Sequence, residues 1–282
     1  MVVKELDHNK VLAMLPDRKL DTHKGDYGKL LLLCGSRGYT GAPALAAMGA
    51  LRSGAGMIFL GVPQSIYEII AGKMLEPVVC PFADKNGMFC SKATSQFDKY
   101  LSKADAVLIG PGLGQSKDVL KVVSYVLKSY NGPIVLDADG INVLEKHRDI
   151  LRDRTSVTII TPHEGEFARI GGISTGDKLT SASLLADELG VIVLLKGHRT
   201  VVTDGKTAYI NNTGNPGMAV GGCGDILSGI IVSLLGQGLA PLEATACAAW
   251  LHGAAGDVCS QEIGQYGMLP SDMLCVLPRL LK

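Results

Sequence analysis

Aromatic side chains make up only 5% of this 282-residue chain, with a single tryptophan, so small aliphatic residues must build most of its interior. Net charge is missing too: 27 Lys and Arg offset 27 Asp and Glu, and no basic run stands out. That argues against nucleic acid or an anionic membrane as the main partner. Uninterrupted apolar runs are lacking. The most apolar late stretch, ILSGIIVSLLGQGLA, is broken by Ser, Gly and Gln and is too short to span a bilayer. The first residues, MVVKELDHNKVLAMLP, are charged and amphipathic, which fits neither a secretory signal nor a span, so a soluble, cytoplasmic protein is expected. Cysteines 34, 80, 90, 223, 247, 259 and 275 form no C-x-x-C and no Cys/His cluster, which excludes the usual zinc spacings and a disulfide framework. A Walker A loop, a G-x-G-x-x-G fingerprint after the first strand and a G-x-S-x-G elbow are all absent. A P-loop NTPase, an NAD-type Rossmann site and an α/β-hydrolase are therefore disfavoured.

What is present is alternation. Short aliphatic runs recur at 29–35, 56–63, 105–112, 132–140, 156–166 and 191–197, with helical stretches such as GAPALAAMGALRSG and SKDVLKVVSYVLKS between them. Continuous apolar runs are the signature of strands covered on both faces, and their alternation with helices predicts an α/β, doubly wound, mostly parallel sheet with helices on both faces. After residue 197 the pattern shifts: Asp204-Gly205 between two β-rich runs predicts a hairpin, and two or three helices follow. No linker, repeat or low-complexity segment interrupts the chain, so one domain over 1–282 is expected. The strands end in Gly35-Ser36, Gly110-Pro111-Gly112, Asp137 to Asp139, Thr161 to Glu166 and Lys196-Gly197. In an open parallel sheet these ends share one ligand-binding edge.

The strongest single signal is GNPGMAVGGCGDILSG, from Gly214 to Gly229. Gly221, Gly222 and Gly224 free main-chain N–H groups to face a ligand, and a helix starting near Asp225 adds its positive end, together an anion cradle that includes Cys223. Asp225 at such a rim is either a base for a hydroxyl that receives phosphate or a simple helix cap. TPHEGEFARI sets His163, Glu164 and Glu166 just past a strand, where a capping cluster is the plain reading. Lys196 and Arg199 flank Gly197 in KGHRT, a place to meet phosphate or adenine. The small-residue helix from Gly41 to Ala50 fits close helix–sheet packing, while the loop from Gly35 to Tyr39 before it looks like a substrate edge. Cys223, near a helix start among exposed N–H groups, is expected to have a lowered pKa and to be alkylated first, the other six cysteines being buried.

Taken in order, GPGLG, DADG, TPHEGE, KG and GGxGD resemble the ribokinase-like fold, and within it the NAD(P)H-hydrate dehydratase family. The segments 23–56 and 215–229 are the most specific, and the likeness extends over nearly all of the chain from about residue 20. The resemblance implies nucleotide-dependent repair of hydrated NADH and NADPH (NADHX and NADPHX), a lyase reaction with ADP or ATP as phosphoryl donor and Mg2+ as cofactor. It implies Asp225 as the catalytic base and Ala42, Gly114, His163 and Asp225 as contacts of the hydrated dinucleotide. Lys196, Gly197, His198, Arg199, Thr200 and Gly224 would hold the adenine nucleotide, and Glu166 would stand near magnesium through water. Family habit adds a homotetramer. No epimerase domain is recognised N-terminally, so a stand-alone dehydratase working with a separate epimerase is expected, and stand-alone members resemble the ADP-using type. The competing reading is a ribokinase-like kinase of a vitamin-precursor alcohol, which would use the same Asp225. The 23–56 segment resembles the dehydratases rather than such kinases. A non-catalytic dinucleotide sensor would have no need of Asp225 as a base.

Overall fold

The computed structural model describes residues 1–282. Its strands are β1 (Val2–Lys4), β2 (Lys29–Leu33), β3 (Met57–Pro63), β4 (Val78–Phe82), β5 (Asp84–Lys85), β6 (Met88–Phe89), β7 (Ala106–Ile109), β8 (Ile134–Leu136), β9 (Thr158–Ile160), β10 (Ile192–Leu195), β11 (Val201–Thr203) and β12 (Thr207–Ile210). Its helices are α1 (His8–Met14), α2 (Gly41–Arg52), α3 (Tyr67–Ala71), α4 (Thr94–Leu101), α5 (Lys117–Ser129), α6 (Asp139–Asn142), α7 (Asp149–Arg152), α8 (Glu164–Arg169), α9 (Lys178–Leu189), α10 (Cys223–Gly236), α11 (Pro241–Glu262) and α12 (Pro270–Leu280).

All strands but β5 and β6 join one sheet in the order β1-β12-β11-β10-β9-β8-β7-β2-β3-β4. From β10 to β4 every pairing is parallel, and β11 alone runs antiparallel to both its neighbours. The six aliphatic runs each supply one of these strands, and Asp204-Gly205 turns the β11–β12 hairpin. The strand β2 shows why its sequence, KLLLL, lacks alternation. Leu30 and Leu32 pack into one core, Leu31 and Leu33 into another on the opposite face, and all four are fully buried. Helices α2, α10, α11 and α12 cover the first face; α4, α5, α8 and α9 cover the second.

The small-residue helix α2 owes its composition to packing. Gly49 lies so close to α10 that an added Cβ would stand 2.6 Å from the Ile226 carbonyl oxygen, and Gly229 of α10 meets the Ala46 carbonyl in the same way. Both helices begin at the carboxyl edge of the sheet; at their far ends Gln237 Nε2 donates to the Ser53 carbonyl at 3.0 Å. Strand order reverses between β2 and β7, and such a switch point opens a crevice at the strands' carboxyl ends. There the loop after β2 and the loop after β7 meet: Gly35 N–H donates to the Pro111 carbonyl at 2.8 Å, and Ser36 Oγ to that of Gly112 at 2.7 Å. No helix is long and apolar enough to cross a membrane.

Candidate active site

Glycine shapes the start of α10. Gly222 is the N-cap residue with φ 104°, a left-handed conformation that costs glycine little, and a Cβ there would meet Leu45 of α2 at 2.6 Å. Cys223, Gly224 and Asp225 form the first helical turn, so Asp225 is the third residue of the helix and not its cap. The capping alternative is thereby removed. Ser228 Oγ donates to the Asp225 backbone carbonyl at 3.0 Å, whereas the Asp225 carboxylate accepts no hydrogen bond from the protein.

Two carboxylates pair with one ammonium. Lys196 Nζ lies 3.1 Å from Asp137 Oδ1 and 3.6 Å from Glu166 Oε2. Thr161 Oγ1 donates to the same Asp137 oxygen at 2.6 Å. Burial by itself would lower the Lys196 pKa; the carboxylates of Asp137 and Glu166 outweigh it and hold the pKa above the ordinary lysine value. A Cβ at Gly224 would stand 3.6 Å from Lys196 Nζ and 4.0 Å from Asp137 Oδ2, so the cradle backbone lies beside this pair. Asp225 is left as the surplus anion. Burial first, then the charge of Asp137, push its pKa up to about 7 against the pull of Lys196. A carboxylate titrating near neutrality can accept a proton from a hydroxyl and return it, which suits a general base.

Asp137 enters the site from a strained turn. Ala138, between β8 and α6, has φ 46° and ψ −114°, a region that a residue with a Cβ rarely adopts. Such strain costs on the order of 1–3 kcal/mol and persists where the surroundings over-determine it. Gly110 makes the turn possible, because any Cβ on it would run into the Asp137 carbonyl.

The expected nucleotide contacts converge. Lys196, Gly197, His198, Arg199, Thr200 and Gly224 line one cavity of about 920 Å3, together with His163 and Cys223. Arg199 takes a positive φ of 52° in that loop. The segment from Asn211 to Pro216 also lines it; Gly214 to Pro216 open the glycine-rich stretch singled out in the sequence, whereas Asn211, Asn212 and Thr213 carry no such signal. Ala42 and Gly114 do not line this cavity. They sit at the crevice beside it: a Cβ on Gly112 would touch Ala42 Cβ at 3.0 Å, and one on Gly114 would approach Ser36 Oγ at 3.7 Å. Gly221 is exposed, with nothing within 4 Å of where a Cβ would stand.

His163 and Glu166 form the capping cluster that the plain reading predicted. His163 Nδ1 accepts from the amide of Gly165 at 3.0 Å, and Glu166 Oε2 accepts from the amide of His163 at 2.9 Å. The imidazole remains about half exposed at the cavity. Glu166 is buried and serves both the cap and Lys196.

The expectation for Cys223 is overturned. The thiol is buried, and burial, with Asp225 adding to it, pushes its pKa up to about 11; the contact with the Val220 backbone pulls the other way and is outweighed. Packing at the helix start, where Leu45 of α2 and Pro270 of α12 approach Gly222, leaves Cys223 only 7% exposed although it lines the cavity, and sequence alone does not show that packing. Cys275 is the exposed cysteine, so the expectation that the other six are all buried also fails. Brief iodoacetamide treatment followed by peptide mapping is expected to label Cys275 first and Cys223 slowly; preferential labelling of Cys223 would contradict the burial argument.

Two further residues belong to the site. Asp137 was visible only as part of DADG after a strand, and its pairing with Lys196 joins positions 59 apart in sequence. His252 of α11 lines the cavity; burial lowers its pKa to about 4, the Cys223 backbone raising it and Lys196 lowering it further, so the ring is neutral at pH 7.

Comparison with known proteins gives these features a family. The chain matches the NAD(P)H-hydrate dehydratase family over residues 30–279. It is 34% identical to an ADP-dependent (S)-NAD(P)H-hydrate dehydratase of Cenarchaeum symbiosum, over 100% of this chain and 98% of that protein. It is 40% identical over 277 residues to a bifunctional NAD(P)H-hydrate repair enzyme of Moorella thermoacetica, covering 96% of this chain and 52% of that protein. The chain thus spans about half the length of the bifunctional relatives it matches. Among solved structures, the ADP/ATP-dependent NAD(P)H-hydrate dehydratase of Bacillus subtilis, co-crystallised with ATP and Mg2+, superposes with a TM-score of 0.83 at 30% identity, over 97% of this chain and 96% of that one. The fold is therefore ribokinase-like, as the sequence resemblance implies. With the family match running from the first long strand almost to the C-terminus, this chain belongs to the NAD(P)H-hydrate dehydratase family.

Proposed function

We propose that the protein dehydrates hydrated NADH and NADPH to NAD(P)H at the expense of ADP or ATP, with ADP the favoured donor. The observation that carries this reading is Asp225: a carboxylate without a hydrogen-bond partner, titrating near pH 7, in the first turn of a glycine-started helix beside a large cavity. Hydroxide is a poor leaving group, so the ring hydroxyl is first made into a phosphate ester. Asp225 takes the hydroxyl proton as the oxygen attacks the terminal phosphorus of the nucleotide, and AMP (from ADP) or ADP (from ATP) departs. Main-chain N–H groups at Gly222 to Gly224 and the Lys196 ammonium offset the charge on the transferring group. The C–O bond to phosphate then breaks, pushed by the lone pair of the ring nitrogen, and loss of a ring proton restores the dihydronicotinamide.

The donor set bears on magnesium. The Lys196 ammonium pairs with Asp137 and Glu166 while Asp225 feels the charge of both Asp137 and Lys196, an excess of carboxylates that nucleotide phosphates would add to. No cluster of three His, Cys, Asp or Glu side chains is arranged to hold a metal by itself. That combination suits Mg2+, which keeps several waters and binds through one or two carboxylates plus substrate phosphates. Glu166, through water, and Asp137 are the residues that would hold it, and when bound it would neutralise charge on the phosphates.

The hydrated dinucleotide would lie in the crevice at Ala42 and Gly114, reaching His163 and Asp225, with the adenine nucleotide in the cavity at Lys196 to Thr200. A separate epimerase, a homotetrameric assembly, a single domain and a cytoplasmic location complete the proposal. Hydrated NADH supplied with ADP or ATP and Mg2+ should regain dihydronicotinamide absorbance, faster with ADP, and should show no recovery without nucleotide. Equal recovery with and without nucleotide would overturn the reading.

A further inference from the structure

The loop that carries Gly114 is tied to α6 by one carboxylate. Asp139, first residue of α6, accepts from the Gly114 amide at 2.8 Å through Oδ2 and from Gln115 Nε2 at 3.0 Å through Oδ1. Its Oδ1 also receives Asn142 Nδ2 at 3.4 Å, and Asn142 Oδ1 in turn accepts from Arg169 in the last turn of α8. That helix is the one that His163 caps. A continuous polar chain thus runs from Gly114 through Asp139, Asn142 and Arg169 to the helix beneath His163. The strained Ala138 turn sets its direction, sending Asp137 toward Lys196 and Asp139 toward the loop.

We propose that Asp139 is a positioning residue for the hydrated dinucleotide, fixing the Gly114 loop relative to His163 without touching the reacting atoms. This rests on the reading that Gly114 and His163 hold that substrate. The other hydrogen bonds of the loop, from the amides of Gly35 and Leu113 and the Ser36 hydroxyl, end on the carbonyls of Pro111, Gly110 and Gly112, and the buried Leu113 side chain anchors it up to that residue, so Asp139 alone holds the Gly114 amide. With φ +74° at Gly114, the end of the loop has a conformation that glycine tolerates but does not enforce. Loss of the Asp139 acceptor therefore frees the Gly114 end while the Asp137–Lys196 pair and the nucleotide cavity stay intact. Misplacement by about 1 Å can cost on the order of a hundredfold in a positioned reaction.

Asp139→Ala is expected to raise KM for hydrated NADH about tenfold or more, with ADP affinity by calorimetry unchanged. Asp139→Asn, which keeps a side-chain oxygen for the Gly114 amide, should recover part of that loss. A second readout needs no turnover: deuterium exchange over residues 110–116 should quicken in Asp139→Ala, while residues 196–200 keep the wild-type rate. A KM for ADP raised as much as that for hydrated NADH, or unchanged exchange at 110–116, would overturn the proposal. Wild-type protein that ignores hydrated NADH would sink the substrate reading, and the exchange result would still decide whether Asp139 fixes the loop.

Discussion

Asp225→Asn is expected to lower turnover of hydrated NADH by about a hundredfold or more while ADP binding stays near normal, because asparagine keeps the shape of the site and cannot accept the proton. Retention of more than about a tenth of the wild-type rate would deny Asp225 the role of base. The same residue sets a pH dependence. With the carboxylate needed in its ionised form and its pKa at about 7, wild-type kcat/KM should fall as pH drops below about 7. Stability should move in the opposite sense. A carboxyl whose folded pKa is raised binds its proton more tightly when folded, so its cost to the fold is absent below about pH 4 and grows as pH rises through about 7. Relief of that cost should make Asp225→Asn the more stable protein at pH 8, by on the order of 2–4 kcal/mol at most, and no more stable than wild type at pH 4. Urea unfolding at the two pH values checks it, and equal stability at pH 8 would contradict the burial and repulsion that raise this pKa.

Lys196→Met should produce the largest loss of stability. Methionine matches the length of the side chain but leaves Asp137 and Glu166 buried without their cation, and breaking a buried pair in this way typically costs about 3–5 kcal/mol. The loss should shrink as pH falls, since protonating the two stranded carboxylates removes the charge. Asp225 would also lose its only attractive partner, so the acid limb of any remaining activity should move to higher pH. Denaturant midpoints at pH 5 and pH 8 test this; a midpoint equal to wild type at pH 8 would mean that Lys196 does not hold the two acids together.

The central strands were legible because both faces of the sheet are covered. Runs such as the four leucines of β2 and IVLL of β10 are apolar at every position, and the hairpin after them is announced by Asp204-Gly205. The edges were not. Strand β1 is three exposed residues, β4 contains Pro81 and an exposed Val78, and β5 and β6 have two residues each around Asn86-Gly87. Short, half-polar pieces take their conformation from their neighbours and carry little pattern of their own. At the site, the glycines before Asp225 were readable because close backbone approach leaves a compositional trace. What makes Asp225 a base of the right strength was not: its pKa depends on Asp137, 88 positions earlier in the numbering, and on burial by helices elsewhere in the chain. Cys223 shows the same limit from the other side, since a favourable helix end was evident locally while the packing that silences the thiol was not.

The distinction between dehydratase and kinase rests on what leaves the active site. Wild-type protein incubated with hydrated NADH, ADP and Mg2+ can be followed for inorganic phosphate and dihydronicotinamide in the same samples. The two should accumulate together, one phosphate for each NADH restored, with AMP as the nucleotide product. A stable phosphorylated alcohol accumulating without any NADH would contradict it and place the chemistry with the small-molecule kinases that share the fold.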